Sequence, residues 1–257
     1  METMATQPVC PKCGGSGWII LEREHVSGAE PCECRFDGLT GRMEDRAQIP
    51  PLYRQASFDN FHFSDNPIAA RDLRTTMMQV KRYADDFPNE NRPGLLLIGD
   101  PGTGKTHLAV AALRRIVQKG FECLFCDYQN LLDRIRSGYD AASNSSDREA
   151  YRVALDAEVL LLDDLGAHRV TDWVEDTVTS IVTYRCNNRK PLIATSNLPD
   201  AEAGSAIHQR SALGAPEYRT TLADRIGGRA RSRLFEMCTV IRMPLVEDYR
   251  IRKQRTF

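Results

Sequence analysis

The residues best suited to chemistry form a glycine-rich run between an apolar stretch and a helical pattern. The run matches G-x4-G-K-[ST], the spacing of a loop that binds phosphate groups. Glycines let successive backbone N–H groups turn toward phosphate oxygens, Lys105 adds a charge for the β- and γ-phosphates, and the Thr106 hydroxyl can bind Mg²⁺. The predicted phosphate contacts are Gly99, Asp100, Pro101, Gly102, Thr103, Gly104, Lys105, Thr106 and His107.

Two acids directly follow a second apolar run. Asp163 and Asp164 come after residues 159–162, at what would be the carboxyl edge of a sheet, where open α/β folds bind ligands. We predict that Asp163 holds Mg²⁺ through water and that Asp164 orients or deprotonates the attacking water. A plain turn or a helix cap is the alternative for such a pair.

A third apolar run ends in an amide. Asn197 follows residues 192–196, and its side chain could hydrogen-bond the γ-phosphate or the attacking water. Without the other motifs, an asparagine in the turn before Pro199 would be the better interpretation.

Half of the eight cysteines lie near the amino terminus. Cys10 and Cys13 are separated by two residues, and Cys32 and Cys34 could complete a set of four thiolates around a structural Zn²⁺. Metal binding would supply folding energy that this short, aliphatic-poor segment lacks. A redox pair or unligated thiols are the alternatives, and His25 could replace one cysteine.

Composition excludes several classes of protein. With 34 Lys and Arg against 35 Asp and Glu, the chain is not a polycationic wrapper of DNA, so any nucleic-acid surface must be local. No apolar run approaches the roughly 20 residues of a membrane helix, and no signal peptide is evident, so we expect a cytoplasmic protein without membrane contact. Cys123 and Cys126 have redox-like spacing but lie in an apolar strand pattern, which favours core filling.

Apolar runs and helical periodicities alternate along the chain, which predicts an α/β domain with a parallel sheet. Residues 1–36 are predicted to form the zinc-binding module, 37–51 a linker, and 52–257 the main domain. The predicted strands are 95–98, 121–126, 159–162, 192–195 and 238–242, and the predicted helices are 67–87, 106–119, 130–136 and 171–184.

Four segments in this order resemble the AAA+ ATPases of the DnaC/IstB group. They are GDPGTGKTHL from 99, VLLLDDLG from 159, LIATSN from 192 and GRARSRLFEMC from 228. The resemblance covers about residues 49–250 and implies a P-loop three-layer αβα domain with a five-stranded parallel sheet and no helical lid. It also implies that Tyr53 or Phe58 could cover the adenine, although both could simply be core.

The same resemblance assigns roles to several polar residues. It implies ATP hydrolysis, with Asn197 as first sensor and Arg250 as second sensor. Arg233 would be the arginine finger that reaches a neighbouring subunit's nucleotide, Arg229 would help that interface, and Arg231 would lie on the surface.

The function expected from these features is that of a helicase loader. Such a protein assembles into a ring or helical oligomer, contacts single-stranded DNA mainly through Lys and Arg, and places a replicative DNA helicase during replication. Residues 138–147 and 199–221 are candidate contact loops. The alternatives are a transposase helper of the IstB type, a small-molecule phosphotransferase, and an adaptor with little turnover, because Asp164 replaces the more common Glu.

Overall fold

The computed structural model describes residues 10–14, 16, 18–23, 26–32, 41–138, 145–204, 208–210 and 216–255. The strands are β1 (Trp18–Arg23), β2 (Val26–Pro31), β3 (Gly94–Ile98), β4 (Cys123–Asp127), β5 (Val159–Asp163), β6 (Leu192–Ser196), β7 (His208–Arg210), β8 (Pro216–Tyr218) and β9 (Cys238–Arg242). The helices are α1 (Pro67–Asp85), α2 (Lys105–Val117), α3 (Tyr128–Ser137), α4 (Ser145–Asp156), α5 (Asp172–Asn187), α6 (Leu222–Ile226), α7 (Gly228–Met237) and α8 (Tyr249–Arg255). Part of the chain before α1, residues 41–46, is also helical.

Five strands form one parallel sheet in the order β4-β5-β6-β3-β9. Their apolar sequences suit strands that are covered on both faces. Because parallel strands run in the same direction, the polar residues at their carboxyl ends are brought to one edge. The sequence-based expectation of an α/β fold with a five-stranded parallel sheet is confirmed.

Helices cover both faces of this sheet. Leu95 and Leu97 of β3 join a core with α1 and α2, whereas Leu96 and Ile98 join a second core with helices α3 to α7. Alternate residues of a strand point to opposite faces, so one short apolar run contributes to both cores. The result is a three-layer αβα arrangement.

Local signals set the predicted helix starts. The Asn66 side chain accepts hydrogen bonds from the N–H groups of Ile68 and Ala69, and Pro67 occupies the first turn of α1. Thr171 accepts from Val174 N at 3.3 Å and caps α5. These caps use N–H groups that have no partner within the helix.

The structure differs from the expected linker at residues 37–51. Met43, Ala47 and Ile49 are buried in the core that contains α1 and α2, and Phe125 N donates to Ala47 O at 2.8 Å. Of the residues in this segment, the described part from 41 onward therefore packs as part of the main domain. The sequence of this segment is mostly polar, so the three apolar residues that pack into the core gave too weak a signal to predict it.

Cys123 and Cys126 face opposite cores, as expected for strand residues three apart. Cys123 is buried in the α1 and α2 core, and Cys126 packs against the other. Burial raises the pKa of Cys123 well above its usual value and that of Cys126 to about 11, so both thiols stay protonated at neutral pH. The prediction that these cysteines fill core space is confirmed.

Arg185 of α5 is fully buried between the end of α4 and the sheet. Its guanidinium donates to the carbonyl oxygens of Ala154, Leu155, Ala157, Glu158 and Pro191 at 2.6–3.4 Å. One side chain therefore satisfies carbonyls at the end of α4 and just before β5 and β6.

Among the described residues, none of the helices has the length and hydropathy that crossing a bilayer would require.

Candidate active site

The phosphate loop connects β3 to α2, as predicted. Gly102 and Gly104 have φ values of 73° and 92°, a region that favours glycine. Lys105 Nζ donates to the carbonyl oxygens of Gly99 and Asp100, both at 2.8 Å. An ammonium group has three protons, so one more is available to a phosphate oxygen.

The charge on Lys105 is sensitive to what occupies the loop. Burial lowers the pKa of this lysine to about 8, and the carboxylates of Asp164 and Asp163 act in the opposite direction. A phosphate group beside the ammonium would favour its charged form. Anion binding and protonation of Lys105 therefore support each other.

Thr106 and Asp163 lie together, as the two motifs predict. Thr106 Oγ1 donates to Asp163 Oδ1 at 2.9 Å and lies 3.2 Å from Oδ2. Burial raises the pKa of Asp163, and hydrogen bonds from Thr195 and Thr106 offset part of the rise. A carboxylate beside a hydroxyl is a suitable set of oxygen ligands for Mg²⁺, so these two residues fit a nucleotide-bound metal.

Asp164 and Asn197 also meet at this edge. Asn197 Nδ2 donates to Asp164 Oδ1, and Asp164 N donates to Thr195 Oγ1 at 2.9 Å. Asp164 has a φ of 60°, in the left-handed region that Asp and Asn adopt more readily than most residues. Such strained backbone often occurs at functional sites.

A cavity of about 750 Å³ joins these groups. Its lining includes residues 102–107 of the loop and its helix, together with Asp163, Asp164, Thr195 and Asn197. Of the predicted phosphate contacts, Gly99, Asp100 and Pro101 form the turn that precedes this wall. The predicted catalytic side chains of one subunit are thus gathered around a single space.

The segment before α1 forms another wall. His107 Nε2 lies 2.9 Å from Ser57 O, and the His107 and Phe61 rings are 5.5 Å apart. Tyr53 and Phe58 both pack against the core that contains α1 and α2, and Tyr53 also lines the cavity. Of the two aromatic candidates for covering adenine, Tyr53 is the one that the cavity contains.

Residues 246–252 close the cavity from a third side. A Cβ atom at Gly102 would lie 2.0 Å from the Asp248 carboxylate, and Tyr249 N donates to Gly102 O at 3.2 Å. Arg250 lines the same space, and the rings of His62 and Tyr249 are 5.3 Å apart. The segment with the expected second sensor therefore lies against the phosphate loop.

Arg229 and Arg233 lie elsewhere, on the exposed surface of α7. Neither belongs to the described walls of the cavity, and Arg233 Nη1 contacts Glu236 Oε2 at 2.5 Å. Their position outside the subunit's own cavity is compatible with a role toward another subunit.

Arg231 is not the surface residue that the resemblance implied, because its side chain is only 19% exposed. Its guanidinium contacts both oxygens of Asp200 at 2.6 and 2.7 Å, and Glu202 at 3.1 Å. The Asp200 side chain is only 2% exposed, and the guanidinium also stacks over Phe235. Arg231 therefore fixes α7 to the segment after β6.

Three of the four predicted zinc ligands are described, and they cluster. The sulfur atoms of Cys10, Cys13 and Cys32 all lie within 4.8 Å of one another, with Cys10 Sγ and Cys32 Sγ 3.9 Å apart. Tetrahedral Zn–S bonds of about 2.3 Å place sulfurs about 3.8 Å apart, so the trio fits zinc. Cys34 and His25 lie outside the described residues.

Sequence reasoning missed three polar residues of the site. Asp127 ends β4 beside Asp163 and lines the cavity, and Thr195 contacts both predicted acids. Arg219 Nη2 contacts Asp100 Oδ1 at 3.2 Å. Asp127 is the last residue of β4 and Thr195 is the last but one of β6, so both could have been found from strand order. The Arg219 contact has no local sequence signal.

Known proteins similar to this chain share its phosphate-loop domain. The IstB-like ATP binding protein family matches residues 39–232. The uncharacterized protein YqaM of Bacillus subtilis (strain 168) is 28% identical over 70% of this chain and 60% of its own length. The replicative helicase loader DnaC of Buchnera aphidicola subsp. Acyrthosiphon pisum (strain APS) is 26% identical over 66% of each chain. The matched region thus spans slightly less than two thirds of these two relatives.

A crystal structure of the DnaC helicase loader is 31% identical, with a TM-score of 0.60, over 76% of this chain and all of that chain. The fold similarity therefore extends over about three quarters of this chain. The chain belongs to the IstB-like ATP-binding family and is a P-loop ATPase of the DnaC/IstB group.

Proposed function

We propose that this ATPase loads a replicative DNA helicase onto single-stranded DNA. One observation carries the proposal: the cavity contains Lys105, Asp163, Asp164 and Asn197, while Arg233 lies on the exposed surface of α7. Because Arg233 lies outside the cavity of its own subunit, it would contact the nucleotide in the cavity of a neighbouring subunit. Hydrolysis would therefore depend on assembly. The helicase loaders among the similar proteins support the same function.

Within one subunit, the loop N–H groups and Lys105 would bind the phosphates of ATP. Thr106 and Asp163 would hold the Mg²⁺ ion, which neutralises charge on the β- and γ-phosphates when bound. Asp164 would orient or deprotonate the attacking water, and the Asn197 amide fixes the Asp164 carboxylate toward the cavity. Arg250 would contact the nucleotide from residues 246–252.

Between subunits, Arg233 would exchange Glu236 for the γ-phosphate of the adjacent nucleotide. The pair is exposed, so its loss has little energetic cost. Arg229 would contribute to the same boundary. This arrangement fits self-association into a ring or a helical oligomer.

The amino-terminal segment would form a separate docking unit. We propose that Cys10, Cys13, Cys32 and Cys34 bind structural Zn²⁺ and that residues 1–36 hold the helicase. Trp18 and Ile20 of β1 are exposed at 43% and 71%, which provides an apolar contact surface beside the cysteines. Contacts with single-stranded DNA would come from basic residues of the assembly, with the loops at 138–147 and 199–221 as candidates, and the protein would act in the cytoplasm.

Capture of a purified replicative helicase tests the proposal. We expect immobilised protein to retain the helicase with ATP and to lose it in the Cys13→Ser variant, whose zinc content should also fall. Lys105→Ala, which removes the phosphate-binding charge, is the control in which ATP should have no effect on helicase capture. If no nucleotide state retains the helicase, the loader proposal is wrong even if ATP is hydrolysed.

A second candidate is a transposase-helper ATPase, which the matching IstB-like family supports. A protein of that kind would stimulate a transposase and would not respond to the helicase. Measuring ATP turnover with each partner in turn separates the two candidates.

A further inference from the structure

The hydroxyl group of Thr195 lies between the two acids of the ATP site. Thr195 Oγ1 donates to Asp163 Oδ1 at 2.6 Å and accepts from Asp164 N at 2.9 Å. The residue is 1% exposed and lines the cavity. A single buried hydroxyl therefore contacts the side chain of one acid and the backbone of the next.

The contacts use the hydroxyl in two different ways. A threonine hydroxyl has one proton and two lone pairs. Its proton is directed to the Asp163 carboxylate, and a lone pair receives the Asp164 N–H group. These two bonds would fix the carboxylate orientation at one residue and the backbone direction at the other.

Each acid has a second support, which makes the geometry specific. Thr106 Oγ1 holds Asp163 from the phosphate loop, and the Asn197 amide holds the Asp164 side chain. Asp164 has left-handed backbone, so its N–H direction differs from that of a continuing strand. Thr195 holds this N–H group, and Leu165 N donates to Thr195 O at 2.7 Å just beyond the turn.

We infer that Thr195 is a positioning residue that sets the geometry of both the metal-holding and the water-orienting acid. The inference rests on the proposed roles of Asp163 and Asp164. A threonine near the end of a strand can act only by filling space, but valine would fill the same space without either hydrogen bond. The hydroxyl is therefore the part of the side chain on which the inference depends.

The test compares Thr195→Val with Thr195→Ser in the full chain. Binding of a fluorescent non-hydrolysable ATP analogue is measured across Mg²⁺ concentrations, and ATP turnover is measured in parallel. Loss of such an outer support typically costs 10–100-fold, so we expect Val to raise the half-saturating Mg²⁺ concentration and lower kcat by about that factor. Ser should restore both, and analogue binding without Mg²⁺ should stay unchanged.

Thr177→Val is the matched control, because Thr177 is a buried threonine of α5 outside the described cavity walls. It should leave Mg²⁺ dependence as in the wild type. If the Val protein does not fold, Thr195→Cys carries the same test, since a thiol is a much weaker hydrogen-bonding group.

Two results would overturn the inference: wild-type Mg²⁺ dependence and turnover in Thr195→Val, or a Ser variant no better than Val. Asp163→Ala separates this outcome from failure of the proposed site. If Mg²⁺ tightens analogue binding to the wild type but not to Asp163→Ala, the metal role stands whatever Thr195 does.

Discussion

At the scale of single residues, Arg185 stabilises the domain through contacts that its position in α5 does not suggest. Burial lowers the pKa of its guanidinium to about 10, yet the group remains charged at neutral pH. Its partners are backbone carbonyls at the end of α4 and before two strands of the sheet. A charged donor fork can satisfy several such acceptors at once.

Arg185→Met should therefore destabilise the domain severely. It leaves several buried carbonyls without their donor, and each unsatisfied group costs about 1–3 kcal/mol, so we expect a loss of at least about 3 kcal/mol. Arg185→Lys should recover only part of this, because one ammonium cannot span the same carbonyls. The urea midpoint measures the change.

Arg152→Met is the control for this experiment. Arg152 lies on α4, and its side chain is 73% exposed in a surface pair with Glu149, so its replacement should change little. Equal midpoints for Arg185→Met and Arg152→Met would show that the carbonyl contacts do not stabilise the fold.

Residues with a local motif could be predicted from sequence, and residues with distant partners could not. Lys105 and Asp163 stand in recognisable patterns beside apolar strands. Arg185 and Arg231 depend on partners about 30 residues away, and an isolated arginine in a helix predicts a solvated face. The role of Thr195 could not be predicted from the sequence, because threonine is common in β-strands.

At the scale of elements, the position of α7 depends on the ion pair between Arg231 and Asp200. Although burial acts to raise the pKa of Asp200, hydrogen bonds from Arg231 hold it below its usual value. A carboxyl with a depressed pKa in the folded state adds stability above its unfolded pKa. That contribution is lost as the pH falls through the folded pKa.

We expect Asp200→Asn to lower the free energy of unfolding at pH 7 by about 2 kcal/mol, because it leaves a largely buried guanidinium without its main partner. The variant should therefore unfold at a lower urea concentration than the wild type. The difference from the wild type should persist at neutral pH. It should shrink below about pH 4, where the carboxyl of the unfolded chain becomes protonated, and should disappear as the pH falls through the depressed pKa of the folded state. Urea titrations across this pH range measure both effects.

Glu202→Gln serves as the comparison, because Glu202 contacts the same arginine but is 69% exposed. It should cost little at any pH. A constant difference between Asp200→Asn and the wild type down to pH 3 would contradict the assigned role of the ion pair.

The strands of the parallel sheet were predicted to within two residues at each end and the helix at 172–187 to within three, whereas elements with polar sequences were missed. The strand predicted at 238–242 is β9, and the helix predicted at 171–184 is α5 with its Thr171 cap. In contrast, α4 begins within the predicted polar loop at 138–147, because its first turns offer few apolar residues. The short strands β7 and β8 within the expected contact loop at 199–221 gave no signal either.

At the scale of the whole molecule, the separation of Arg233 from the cavity predicts shared active sites. Arg233→Ala should lower turnover by about 10³-fold, and Asp164→Asn by about 10²-fold or more. When the two proteins are mixed equally, about a quarter of the interfaces join an intact acid to an intact finger. Turnover of the mixture should recover to about that fraction of the wild type.

The matched control mixes Arg233→Ala with the double variant that carries both substitutions, which offers no intact interface. Steady-state turnover at several protein concentrations completes the test. Absence of recovery, together with turnover per chain that is independent of dilution in the wild type, would show that each subunit works alone.

The contact between residues 246–252 and the phosphate loop also determines when the complete cavity can form during synthesis of the chain. The ribosome synthesises Gly102 long before Asp248 and Tyr249, which lie against it in the folded domain. A nascent chain can therefore contain the whole phosphate loop while one wall of its cavity is still missing. Cellular ATP can act as a folding ligand for the complete cavity only after translation has passed this later segment.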